Sequence, residues 1–273
     1  MTVRELTGLL SAAGVPDAGY DARELFRVFG GAREYELFLP DTSSDSPELL
    51  SAADRRCRRE PLAYILGECG FYRETYKVTP ACLIPRQETE LLVDYGVKNL
   101  PRGARFLDLC TGSGCIALSI LKNRPDTAAV ALDISAAALN VAMENADRLA
   151  LTDRVEFVLS DLRLYEPCER FSAIFSNPPY VRADVYPDLS DEVHTEPRLA
   201  LVGDDPDGAG LYRRIISKYK KNLSPGGFFA LEIGYDQADA LMCAARDNHM
   251  RAEILPDLSG LPRLAVLREE KIL

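Results

Sequence analysis

From Arg105 onward, short apolar runs alternate with longer stretches whose apolar residues recur every three or four positions. The runs predict strands at 105–110, 128–132, 154–159, 171–176, 227–233, about 251–255 and 263–268; the longer stretches predict helices at 115–123, 135–149, 208–222 and 236–248. A strand that is apolar on both faces must be covered on both. The pattern therefore predicts an α/β fold, a mainly parallel sheet with helices on each side. Ligands of such sheets sit beyond the carboxyl ends of the strands, so the residues just after 110, 132, 159 and 176 form the candidate site.

The first 66 residues read differently. Leu6, Leu9 and Leu10 make one helical stripe and Leu25, Phe26, Val28 and Phe29 a second, ended by Gly30-Gly31. Leu49, Leu50, Ala53 and Cys57 make a third, started by Ser46-Pro47. A small helical bundle is expected over 1–66. Arg55, Arg56, Arg58 and Arg59 read as a solvated face or as a contact to a partner or a phosphate. Weak alternation from Gly67 to Thr79 predicts a hairpin within a linker over 67–84. Pro85, with Glu88 and Glu90 after it, begins a further helix to about Asn99, at the head of the α/β domain over 85–273.

Composition excludes several classes. At 273 residues and 47% hydrophobic content, the chain can bury roughly three quarters of its unfolded surface. Thirty-two Lys and Arg stand against 42 Asp and Glu, a net charge of −10, which disfavours non-specific nucleic-acid binding. Seven cysteines without a Cys-x-x-Cys, and only two histidines, predict reduced thiols and no metal site. Met1-Thr2-Val3-Arg4-Glu5 lacks the pattern of a signal peptide and no apolar stretch approaches a membrane span, so a cytoplasmic protein is expected.

The strand ends carry the chemistry. The first runs into Asp108-Leu109-Cys110-Thr111-Gly112-Ser113-Gly114-Cys115-Ile116-Ala117, where Gly112 and Gly114 allow a tight turn and a close backbone approach to a ligand. This turn fits a nucleoside-type cofactor without naming it, and no Gly-Lys-Ser/Thr follows to make a P-loop. The second strand ends in Asp133, placed to accept ribose hydroxyls, with Ser135 available as the cap of the next helix. The third ends in Ser160-Asp161-Leu162, where Asp161 could accept from an adenine amino group. The fourth ends in Asn177-Pro178-Pro179-Tyr180. Two prolines forbid further sheet pairing and hold the asparagine extended. The Asn177 side-chain carbonyl and the Pro178 backbone carbonyl can then accept both hydrogens of a planar NH2 group beside the Tyr180 ring. A Pro-rich turn is the plain alternative to this reading.

Together these strand ends resemble a class I S-adenosylmethionine-dependent methyltransferase, in which Asn-Pro-Pro-Tyr is the motif for methylating planar NH2 groups. A dehydrogenase offers no reason for that motif. Over nearly the whole chain the resemblance narrows. Arg59 to Gly67, Leu83-Ile84-Pro85-Arg86-Gln87-Glu88-Thr89-Glu90, Asp108 to Ala117, Ser176 to Tyr180, Glu196 to Leu201, Asp207-Gly208, Leu231 to Gly234 and Asp257 to Gly260 are similar to the release factor glutamine methyltransferases. The resemblance implies a seven-stranded Rossmann-like sheet with its last strand antiparallel, and an N-terminal helical domain that recognises the partner. It implies methyl transfer to the glutamine of the Gly-Gly-Gln loop in class 1 peptide-chain release factors. It implies S-adenosylmethionine held by Asp108, Cys110, Thr111, Gly112, Ser113, Gly114, Asp133, Ile134, Asp161, Leu162 and Asn177. Asn177, Pro178 and Tyr180 would be catalytic, and these three with Pro179 would bind the substrate. A monomer with no nucleic-acid substrate is expected. Gln87-Glu88 stands where the family usually has Pro-Asp or Pro-Glu, Cys110 replaces a usual glycine, and Leu162 replaces a common aromatic. Two other readings share these residues: methylation of a ribosomal-protein glutamine or a nucleic-acid amino group, and a non-catalytic nucleoside sensor.

Overall fold

The computed structural model describes residues 1–270. They fall into two units, Met1–Glu68 with Ser190–Thr195, and Cys69–Leu189 with the residues from Glu196 on.

The first unit is built from α1 (Val3–Ala12), α2 (Ala18–Phe29), α3 (Pro47–Cys57) and the short α4 (Leu62–Leu66). Thr2 and Glu5 close a capping box on α1, and the Ser46 hydroxyl caps α3 by accepting from the Leu49 N–H. Leu6, Leu10, Ala22, Leu25, Phe26 and Leu49 meet in its core. The arginines at the end of α3 are all paired. Arg55 binds Glu60, and Arg58 binds Asp54. Arg59 grips both oxygens of Glu192 at 2.7 Å. Arg56 is buried, donating to Asp21 at 2.6 Å and to Glu192 at 3.2 Å. Neither a solvated face nor a phosphate contact describes Arg56: it is a core ion pair. The same pairing explains why Ser190–Thr195 counts with this unit.

The expected hairpin, β1 (Glu68–Phe71) and β2 (Glu74–Lys77), is turned by Tyr72 and Arg73 at positive φ and belongs, from Cys69 on, to the second unit. It is packed into this unit rather than standing apart as a linker. The Tyr76 hydroxyl shares a 2.6 Å hydrogen bond with Ser119, and the Asn145 side chain brackets the Lys77 backbone at 2.7 and 3.0 Å. After α5 (Glu90–Asn99) the alternation runs β3 (Arg105–Leu109), α6 (Cys115–Asn123), β4 (Ala128–Asp133), α7 (Ala136–Arg148), β5 (Val155–Leu159) and β6 (Phe171–Ser176). It continues through α8 (Gly210–Tyr219), β7 (Leu223–Glu232), α9 (Ala238–Asp247), β8 (Met250–Pro256) and β9 (Pro262–Glu269). β7 begins four residues before the expected 227, because Leu223 also pairs with Phe171 across an irregular register.

The seven strands lie in the order β5-β4-β3-β6-β7-β9-β8. All pairs are parallel except those of β9, which runs antiparallel to both neighbours. One face buries Phe106, Phe175 and Phe228 under α5, α6 and α7; the other buries Leu107, Ile174 and Phe229 under α8 and α9. The order reverses at β3, which has β4 on one side and β6 on the other. Leu109 pairs with both Leu132 and Ser176, so all three strands end level. This is the switch point where a crevice must open. Among the described residues no helix is long and apolar enough to cross a membrane.

Candidate active site

The crevice is occupied by the turn after β3. Cys110, Gly112 and Gly114 all take positive φ, 60°, 57° and 83°. The conformation is free for glycine but strained for Cys110, which carries a Cβ there. A Cβ at Gly112 would meet nothing within 4 Å, whereas one at Gly114 would press on Leu118 at 3.0 Å and Ala142 at 3.2 Å. Gly112 thus borders open cleft, and Gly114 lets α7 approach.

Two aspartates brace the turn. Asp108 lies beneath it, fully buried, accepting from the Thr111 hydroxyl at 2.6 Å, while its Oδ1 has no hydrogen-bond partner among the described residues. Burial pushes its pKa up to about 7. Asp133 accepts from the Gly112 N–H at 2.8 Å and the Ser135 N–H at 2.9 Å. The Ser135 hydroxyl caps α7, which frees Asp133 from that task. Each Asp133 oxygen accepts one of these N–H groups and keeps further acceptor capacity.

Cys110, Thr111, Gly112, Ser113, Asp133, Ile134, Asp161, Leu162, Asn177 and Pro179 line one cleft, together with Arg86, Thr89, Arg163, Pro197, Leu199 and Asp204. Asp108, Gly114, Pro178 and Tyr180 lie outside its lining. Asp161 is at the cleft but already engaged: its oxygens accept from the Arg163 N–H at 2.8 Å and from Nε at 2.9 and 3.0 Å. Arg163 holds the Asp161 carboxyl below its ordinary range. Any amino group reaching Asp161 must share it with that guanidinium. Asp161 and Arg163 sit two residues apart, a local spacing that could have revealed the pair in the sequence.

Asn177 donates from Nδ2 to the Thr89 hydroxyl oxygen at 3.2 Å. Thr89 in turn donates to Glu232 at 2.6 Å, and the Tyr180 hydroxyl donates to the other Glu232 oxygen at 3.1 Å. Burial and the Glu232 charge both push the Tyr180 pKa upward, so its hydroxyl keeps its proton at neutral pH. The motif is also held from behind. Gln237 donates to the carbonyls of Tyr180 at 3.0 Å and Asp207 at 3.1 Å. A Cβ at Gly208 would lie 2.3 Å from the Tyr180 carbonyl oxygen, so only glycine admits this approach.

Comparison with known proteins identifies the family. A model of the methyltransferase small domain matches residues 87–196, and one of the PrmC N-terminal domain matches residues 2–67. A release factor glutamine methyltransferase of Caulobacter vibrioides is 38% identical over 94% of this chain and 91% of its own length. That of Cereibacter sphaeroides is 40% identical over 95% and 94%. The chain belongs to the release factor glutamine methyltransferase family. A solved methyltransferase from Pyrococcus furiosus, 18% identical, covers 70% of this chain and 86% of its own with a TM-score of 0.52, in agreement with the fold.

For a release factor glutamine methyltransferase the methyl donor is S-adenosylmethionine. The residues present fit it: open space at Gly112 for a ligand, spare Asp133 lone pairs for a ribose diol, and Ile134 and Leu162 as apolar walls for a base. The sequence reading missed Thr89, Glu232, Gln237 and Arg163. Thr89 and Glu232 stood inside recognised motifs, but nothing local ties a residue before α5 to one at the end of β7.

Proposed function

We propose that this chain transfers a methyl group from S-adenosylmethionine to the side-chain amide nitrogen of the glutamine in the Gly-Gly-Gln loop of class 1 release factors. The observation that carries the reading is Asn177: its Nδ2 is spent on Thr89, leaving Oδ1 as an acceptor in the cleft that the glycine turn and Asp133 also line. S-adenosylmethionine supplies a sulfonium methyl, a strong electrophile. The amide nitrogen is a weak nucleophile, so the protein contributes orientation. Asn177 Oδ1 and the Pro178 carbonyl hold the two amide hydrogens and strengthen as positive charge grows on the nitrogen. Proximity of this kind supplies about 7–11 kcal/mol in favourable cases. The nitrogen then loses one hydrogen to water as a proton. Tyr180 and Glu232, each held in a hydrogen bond, are not needed as bases.

Asp133, Ile134 and Leu162 would hold the ribose and adenine, with Asp161 reaching the adenine edge, and Cys110 to Gly114 the methionine portion. Asp108 would act through Thr111 beneath the turn, Pro179 would border the slot, and Tyr180 would close its far side. The helical unit would recognise the release factor, and the protein would act as a cytoplasmic monomer. The arginines at the end of α3, already paired with acidic residues, give no reason to invoke nucleic acid. Mass spectrometry of a purified release factor incubated with the protein and S-adenosylmethionine tests the reading. One added methyl on the loop glutamine is expected; an unmodified loop would overturn it.

A further inference from the structure

Thr89 and Glu232 lie outside Asn-Pro-Pro-Tyr, yet they determine which end of the Asn177 amide faces the cleft. A threonine hydroxyl has one proton to donate. Thr89 gives it to Glu232 Oε2 at 2.6 Å, so towards Asn177 it offers only lone pairs. Nδ2 must turn to Thr89, at 3.2 Å, and Oδ1 must turn away. Glu232 cannot move to relax this order. It is buried as the last residue of β7, paired with Leu264 of β9, and its second oxygen is held by Tyr180. One carboxylate therefore orients both ends of the motif.

Resting on the methyl-transfer reading above, we propose that Thr89 and Glu232 are positioning residues that set the polarity of the amide slot, making it accept a neutral NH2 and reject an isosteric carboxylate. A carboxylate brought to the slot would face acceptors only. Glu232→Gln reverses the logic without changing shape: its new NH2 can donate to Thr89, the Thr89 proton turns to Asn177 Oδ1, and Nδ2 swings into the cleft.

The test measures kcat and KM on a whole release factor, and inhibition by the same factor carrying Glu in place of the loop Gln. Cofactor affinity by calorimetry and a thermal melt complete each set. Glu232→Gln and Thr89→Val are expected to lower kcat by roughly 10- to 100-fold, as for loss of a buried hydrogen bond, with cofactor affinity held within about threefold. Thr89→Ser, which restores the hydroxyl, should recover most of the Thr89→Val loss. In Glu232→Gln the Glu form should inhibit at least about tenfold better relative to the KM for the Gln form, and the same preference should narrow in Thr89→Val. A purely structural role would not move that ratio. If Glu232→Gln does not fold, the Thr89 pair decides. The proposal is overturned if kcat is retained, if Thr89→Ser falls as far as Thr89→Val, or if activity drops with the preference unchanged. A wild-type protein that leaves the release factor unmethylated would instead overturn the functional reading, and this proposal with it.

Discussion

Thr111 and Thr89 line the same cleft and use the same device: each hydroxyl donates at 2.6 Å to a carboxylate buried behind it, Asp108 or Glu232. They differ in what is left over. Around Asn177 both Glu232 oxygens receive hydroxyls and Thr89 already holds the Asn177 amide, so every partner is a side chain with a fixed direction. At the glycine turn Asp108 keeps an oxygen without a partner among the described residues, and the donors that position Asp133 are backbone N–H groups. A cradle of backbone survives a change of side chain, which is how Cys110 can stand at a left-handed position. A slot whose polarity is relayed through side chains does not.

Four measurements would break or sharpen this contrast. Asn177→Ala removes the acceptor at the end of the relay and should cut methylation by about 10²–10³-fold, the scale seen when a preorganised hydrogen-bonding group is lost, while the melt stays native-like. Near-normal turnover would mean the slot is not built from side chains.

Asp108→Asn probes the unspent carboxylate. Asp108 ionises near pH 7 in the fold, against 3.8 for the free group. A raised pKa means the fold holds the proton longer. Its contribution is therefore fully present below about pH 4 and is lost as pH rises through about 7. Melts of wild type and Asp108→Asn should agree near pH 4. The variant should become the more stable as pH rises to 8, by at most on the order of 4 kcal/mol. Parallel curves would show that no buried charge is carried there.

Asp133→Ala should weaken cofactor binding by roughly 10- to 100-fold in calorimetry, the cost of removing a charged acceptor from a diol. A change below threefold would move the ribose elsewhere. The smallest effect is expected of Cys110→Gly. Relief of left-handed strain, about 1–2 kcal/mol, outweighs the extra unfolded-state freedom of glycine, about 0.5–1 kcal/mol. A modest gain in stability with cofactor affinity unchanged within about twofold would support a backbone-made cradle; a loss of affinity would give the Cys110 side chain a direct part in binding.

Much of the fold was legible because its signals are local. Apolar period and turn residues placed all seven strands of the sheet, and Ser46 and Ser135 marked helix starts that the structure caps as expected. The glycine turn, Asp133 and Asn177 could be read as one site because each follows a strand directly. The sequence does not reveal the buried pairing of Arg56, because its partners are distant: Asp21 lies 35 residues away and Glu192 lies 136 away. The Asp161–Arg163 pair, by contrast, is local, two residues apart, and the ligand reading of Asp161 leaves it out.

The sequence by itself determined which chemical groups the chain brings to its strand ends, since residue types there are a local property: a glycine turn, a carboxylate at the end of the next strand, and an asparagine locked by prolines. Only the tertiary structure decided which way that asparagine faces. Direction comes from a single threonine proton, given by Thr89 just before α5 to Glu232 at the end of β7, and its destination depends on neighbours that the fold, not the order of residues, brings together.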